Sequence, residues 1–183
     1  ALLWPPAEVV RIVPLACLLI AAPGLAVAET FEGPAPLLVA PGATVVGDPI
    51  DPANHCLRLE PATAVYAEGL RLPAEFSLTV RCLLAEDRGE CEAPVIVCAS
   101  DDGSRFVQVY LEGRSSAVRV VAATGGVWQP LGQALAPRRV RLGEWHTLEI
   151  VCAGGRLAAG LDGEPLLCAT NPIADPGRLG LRV

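Results

Sequence analysis

The groups best suited to chemistry in this chain are its carboxylates, two histidines and seven cysteines. Hydrolysis of a glycosidic bond needs two carboxylates on one strand face, one as acid and one as nucleophile, which a Glu-x-Asp-x-x-Glu run would supply. No such run occurs. The densest acidic stretch, Glu86-Asp87-Arg88-Gly89-Glu90-Cys91-Glu92, surrounds a glycine and reads as a solvated loop cluster. His55 and His146 stand outside any serine or cysteine nucleophile motif. No catalytic residue is assigned, and hydrolytic chemistry has no support in the residues.

The cysteines raise a different question. Cys17 falls in an apolar N-terminal run, leaving Cys56, Cys82, Cys91, Cys98, Cys152 and Cys168, an even number that an oxidising compartment would allow to pair. Spacing accommodates Cys152 with Cys168, near facing ends of two C-terminal strands, and Cys82 with Cys98, which flank the 86–94 loop. Cys82 and Cys152 also continue apolar strand faces, so each reads equally well as a small buried hydrophobe. Zinc is not expected, because the chain has no Cys-x-x-Cys pair.

Along 106–112, Val107, Val109 and Leu111 alternate with Phe106, Gln108, Tyr110 and Glu112. One set therefore faces a core, and the other presents an aromatic, an amide and a carboxylate. Gln108, Tyr110, Arg119 and Trp128 together offer the stacking surface and planar hydrogen-bonding groups that sugars favour, and are the candidate ligand-binding residues. The plain alternative is a partly covered sheet face without a ligand. Asp101 and Asp102 are the candidate metal ligands, for calcium, with Asp48 or Asp51 approaching from the proline-rich segment. Calcium takes six to eight oxygens, and two aspartates before a glycine also describe an ordinary turn.

These residues need a β scaffold. Strand candidates fall at 56–59, 64–66, 76–84, 95–99, 106–112, 117–122 and 138–142, with turn clusters at Asp101-Asp102-Gly103-Ser104 and Thr124-Gly125-Gly126. Short strands at this spacing predict a sandwich rather than a βαβ fold. In the C-terminal third, Leu148, Ile150 and Cys152 share one face, and Leu157, Ala159 and Leu161 repeat the alternation after Ala153-Gly154-Gly155. Asp162-Gly163 is a two-residue hairpin signal. Leu148, Ile150, Leu157, Leu161, Val107 and Val109 are the expected core.

The block Gly143-Glu144-Trp145-His146-Thr147-Leu148-Glu149-Ile150, the Asp162-Gly163 hairpin and Gly177-Arg178-Leu179-Gly180-Leu181 resemble the end of a laminin-G-type, concanavalin A-like jelly roll. Glu29-Thr30-Phe31-Glu32-Gly33 resembles that superfamily's opening strand. The resemblance covers 29–183 in layout and implies an all-β, two-sheet antiparallel jelly-roll sandwich in which Trp145 and His146 support the fold. It also implies a closing strand beyond Val183, so that the domain is expected to be truncated at its C-terminus. Relatives bind glycans, hydrolyse polysaccharides or serve as architectural modules, so fold does not select function. The expected function is a non-catalytic extracellular carbohydrate-binding or adhesive module, with a polysaccharide or glycan as partner. The alternatives are a domain similar to 3-keto-disaccharide hydrolases or other glycoside hydrolase-associated domains, and a structural subunit of a surface assembly.

Composition restricts the class further. A net charge of −6 without a basic stripe argues against a nucleic-acid partner, which would need cations to displace condensed counterions. Aromatics make up only 4% of the chain, too few for a strong lectin. Arg11, the apolar run 12–25 broken by Pro23-Gly24, and Ala26-Val27-Ala28 have the three parts of a secretory signal. Residues 1–28 are therefore expected to be an export segment and 29–183 the domain, secreted or displayed at the cell surface.

Overall fold

The computed structural model describes residues 15–22, 25–29, 43–59, 64–84, 92–173 and 177–182. The described residues form two antiparallel sheets and no helix. One sheet runs, in spatial order, β13 (Glu164–Thr170), β12 (Arg156–Leu161), β11 (Trp145–Ala153), β6 (Phe76–Leu83), β1 (Leu15–Ala22), β4 (His55–Leu59) and β3 (Ala43–Gly47). β2 (Leu25–Glu29) pairs with β1. The second sheet runs β10 (Val127–Leu135), β9 (Ala117–Thr124), β8 (Arg105–Glu112), β7 (Glu92–Ala99), β14 (Gly177–Arg182) and β5 (Ala64–Leu72).

Alternation within each strand builds the core between the sheets. His146, Leu148, Ile150 and Cys152 of β11 are buried, as are Leu157, Ala159 and Leu161 of β12. From the facing sheet come Val107, Val109 and Leu111 of β8 and Val118, Val120 and Ala122 of β9. All six expected core residues are buried. The sheets also meet closely at their edges: a Cβ on Gly132 of β10 would stand 3.6 Å from Leu167 Cδ1 of β13.

The 138–142 segment is a loop instead of the expected strand. Its backbone is satisfied by side chains: Ser116 Oγ accepts from Val140 N at 3.0 Å, and His146 Nε2 lies 3.3 Å from Arg141 N. The unanticipated β10 carries Pro130, which reads as a strand breaker. It is tolerated because β10 is the edge of its sheet, where a missing donor leaves no ladder bond unmade.

The apolar run at the N-terminus pairs into the sheet. β1 aligns with β6 through Leu18 to Val80 and Ile20 to Leu78, among other pairs, and turns back on itself as a hairpin with β2. A short apolar run suits a doubly flanked strand as well as a signal core, and hydrophobicity alone does not separate the two. The Phe31 strand, Cys91 and the acidic residues 86–91 lie outside the described residues.

Neither disulfide pairing that the spacing accommodates fits. Cys152 points into the core, whereas Cys168 is exposed on the opposite face of the same sheet, with Arg156 Nε 3.2 Å from its sulfur. Cys82 lies opposite His146 and Cys152 lies opposite Phe76, at the two ends of β6. Cys98 sits at the Cys152 end, since Asn171 Nδ2 donates to both of those sulfurs, and so is a strand's length from Cys82.

Candidate ligand-binding face

The outer face of the second sheet is where three of the four ligand-binding candidates meet. Cross-strand register puts Arg119 beside Tyr110, Val121 beside Gln108 and Ala123 beside Phe106. β10 adds Gln133 opposite Arg119, Pro130 opposite Val121 and Trp128 opposite Ala123. On the other side, β7 puts Pro94 beside Tyr110 and Ile96 beside Gln108.

Tyr110, Arg119, Val121, Pro130 and Gln133 line a depression of about 390 Å³, within the range of small-ligand sites. Arg119 Nη2 is 2.8 Å from Glu112 Oε2, an oxygen that also accepts from Ser115 Oγ. Burial pushes the Tyr110 hydroxyl above its ordinary value and the Glu92 carboxylate adds to this, while a hydrogen bond with Arg119 opposes both. Two polar atoms here are buried and have no hydrogen-bond partner among the described residues: Gln108 Oε1 and Arg119 Nε. Gln108 is only 5% exposed. An acceptor and a donor on diagonal neighbours of one face are thus left unpaired, which is costly unless a ligand or water completes them.

Trp128 lies apart from these three. It is 48% exposed and packs edge-on against Phe106 with ring centroids 5.4 Å apart. The Arg182 guanidinium reaches 5.6 Å from the Trp128 ring, although β7, β8 and β9 separate their strands, so the sheet curves into a trough. Ile96, Ala99, Phe106 and Ala123, with Tyr66 against them, make an apolar cluster on its floor. At Gly180 the Tyr66 ring lies so close that a Cβ would stand 2.8 Å from its Cδ1, and the Arg178 guanidinium covers that ring at 4.2 Å. The face is therefore largely covered, where the alternation in 106–112 predicts a solvent-facing platform. Gln133, Pro130, Tyr66 and Arg178 are not identifiable from sequence as members of this face, because none is informative until β10 and the β5–β14 pairing are known.

The aspartates of the 101–104 turn have internal partners. Asp101 pairs with Arg71, and its carbonyl accepts from Arg178 Nη1 at 3.2 Å. Asp102 Oδ1 accepts from Ser100 Oγ at 2.6 Å, Ser104 N at 3.0 Å and Ser104 Oγ at 2.8 Å. Asp48 Oδ1 accepts from Ile50 N at 2.7 Å and from Trp145 Nε1 at 3.3 Å. Among the described residues no three His, Cys, Asp or Glu side chains gather to hold a metal.

Comparison with known proteins bears on the fold. The sequence matches no family profile and no curated protein. The structure is similar to the carbohydrate-binding module CBM66 from Bacillus subtilis, with a TM-score of 0.66 and 11% identity over 80% of this chain and 87% of that one. Sheep galectin-11 aligns with a TM-score of 0.51 and 10% identity over 68% of this chain and 91% of its own. The β-glucanase of Bacillus licheniformis aligns at 0.52 and 13% identity, over 91% and 78%. The chain thus has the concanavalin A-like jelly-roll fold that its C-terminal motifs resemble.

Proposed function

We propose that this protein is a non-catalytic carbohydrate-binding module of the laminin-G type, exported and acting outside the cytoplasm, whose ligand lies on the face holding Gln108, Tyr110 and Arg119. The observation that carries this reading is the 390 Å³ depression lined by Tyr110, Arg119 and Gln133, with Arg119 Nε and its diagonal neighbour Gln108 Oε1 left without partners among the described residues. A sugar hydroxyl donates and accepts at once, so when the Gln108 and Arg119 side chains turn out of their buried positions toward the depression, one hydroxyl or a vicinal pair satisfies both atoms while the ring stacks on Tyr110. Similarity of fold to a carbohydrate-binding module and a galectin supports it. Glu112, the carboxylate beside Arg119, is held in an ion pair with it. Screening the purified chain on a glycan array, with titration calorimetry of any hit with and without calcium, tests the proposal. Binding of at least one glycan is expected. Binding to none leaves the structural-subunit reading in its place.

A further inference from the structure

β7 reads Glu92-Ala93-Pro94-Val95-Ile96-Val97-Cys98-Ala99. Alternation puts Ala93, Val95 and Val97 inward and should turn Cys98 outward with Ile96. Instead Cys98 lies in the inter-sheet core beside Val97, and Ile96 and Ala99 belong to the outer cluster. A bulge causes the reversal. Arg178 of β14 opposes Ala99 and Gly180 opposes Ile96, so β7 spends three residue steps where β14 spends two. Cys98 takes the left-handed conformation, with φ 56, which a non-glycine residue seldom adopts without compensation. The neighbouring strand is shaped for it: a Cβ on Gly177 would collide with the Cys98 carbonyl carbon, so position 177 must be glycine for the backbones to approach.

The bulge aims the Cys98 sulfur at the opposite sheet, where β11 presents Cys152. A single buried amide joins them. Asn171 Nδ2 donates to Cys98 Sγ at 3.7 Å and to Cys152 Sγ at 3.3 Å. Asn171 is itself fixed, since its Oδ1 accepts from Ile173 N at 3.0 Å and its backbone N donates to Gly155 O at 2.9 Å. Two thiols from two sheets, both within reach of one anchored nitrogen, are a different arrangement from Cys56, which bonds to the Gly47 carbonyl at 3.8 Å, and from Cys168, which is exposed.

We propose that Cys98 and Cys152 are a disulfide site that staples the two sheets of the sandwich together when the chain folds in an oxidising compartment. The oxidant is a small-molecule or protein disulfide, such as glutathione disulfide. One cysteine thiolate attacks it, forming a mixed disulfide and releasing one glutathione thiol. The second cysteine's thiolate then attacks the first cysteine's sulfur in that mixed disulfide, forming the Cys98–Cys152 bond as the sulfur–sulfur bond to glutathione breaks and the second glutathione thiol leaves. Both protein thiols lose a proton, and the two electrons leave with the two glutathione molecules. Burial, with a smaller contribution from Cys152, pushes the folded Cys98 thiol up to about 11, so exchange belongs to the folding or opened chain and the folded dithiol resists it.

The test is to refold the full chain from denaturant in a glutathione redox buffer, alkylate free thiols, digest without reduction and map linked peptides by mass spectrometry. The expected product joins Cys98 to Cys152, lighter by two hydrogen atoms than the dithiol. Its melting temperature should fall by roughly 10 °C on reduction, because the bond closes a long loop of the unfolded chain. In the Cys98→Ala/Cys152→Ala chain the melting temperature should no longer respond to reductant. Recovery of both cysteines alkylated in refolded wild type, or joined to other cysteines, overturns the proposal. The peptide map is made on the wild-type chain, so it decides the matter even where a variant fails to fold.

Discussion

His146 Nδ1 lies 2.9 Å from Asp162 Oδ2, joining the Trp-His strand to the Asp-Gly hairpin. The same aspartate accepts from Thr147 N through Oδ1 at 2.7 Å, and its own N donates to Thr147 O at 2.8 Å. Asp162 and Gly163 both have positive φ, 53° and 82°, as a type I′ hairpin turn requires. His146 Nε2 lies 3.1 Å from Arg141 O and 3.3 Å from Arg141 N, which ties the 138–142 loop to the same point. Asp162→Ala removes the acceptors of Thr147 and His146 and strains a left-handed position, so it should destabilise by about 2 to 3 kcal/mol. Asp162→Asn, which tolerates that conformation, should lose about 1 kcal/mol. Urea unfolding measures both, and an unchanged Asp162→Ala would remove the hairpin from the fold's determinants.

Much of this architecture is legible in the sequence because the relevant signals are local. Alternation in 106–112 and 147–152 gives the inward sets directly, and Asp162-Gly163 marks its own turn. The candidate site is less legible. Tyr110 and Arg119 face one way by alternation, but their pairing depends on β8–β9 register, and the trough depends on β10, whose Pro130 conceals a strand. Cys98 shows the limit most sharply, since its place beside the 86–94 loop suggests Cys82 as a partner, while a bulge that spacing does not reveal turns it into the core toward Cys152. Asp101 and Asp102 look alike in sequence, yet only the fold brings Arg71 to one while the other turns back on Ser100 and Ser104.

Acid titration should reveal that second aspartate. Hydrogen bonds from Ser100 Oγ, then from the Ser104 backbone and hydroxyl, hold the Asp102 carboxyl at about 2, below its ordinary 3.8. Because the folded value is the lower one, the contribution is complete above the ordinary value and disappears as pH falls through about 2. Melting curves of wild type and Asp102→Asn should be separated near neutral pH and converge across that window. A separation that stays constant down to the lowest pH would assign the effect to something other than this charge.

The N-terminal segment makes two incompatible demands on one stretch of chain. Cleavage after Ala28 removes β1, the strand between β6 and β4, and all of β2 except Glu29. In keeping with the export proposal, intact-mass analysis of protein recovered from outside the cytoplasm should find Glu29 as the first residue. An N-terminus upstream of Leu15 would make the segment a permanent strand of the sheet. Comparing the cooperativity of urea unfolding for chains 1–183 and 29–183 then shows what the hairpin contributes to the fold.

Binding and folding should separate at Gln108. Its Oε1 is buried without a partner among the described residues, so replacing the amide with an apolar side chain of similar length removes an unmet acceptor. Gln108→Met should therefore leave stability unchanged or raise it by up to about 1 kcal/mol, and should weaken glycan binding by about 1 to 2 kcal/mol. Tyr110→Ala should weaken binding by a similar amount through lost stacking, and should also lower stability slightly because the hydroxyl partners Arg119. Calorimetric titration paired with urea unfolding on both variants makes the comparison. If Gln108→Met binds like wild type, the sugar does not reach this couple and the ligand lies elsewhere on the trough. If it unfolds the chain, the amide serves the fold, and the unpaired oxygen is no mark of a binding site.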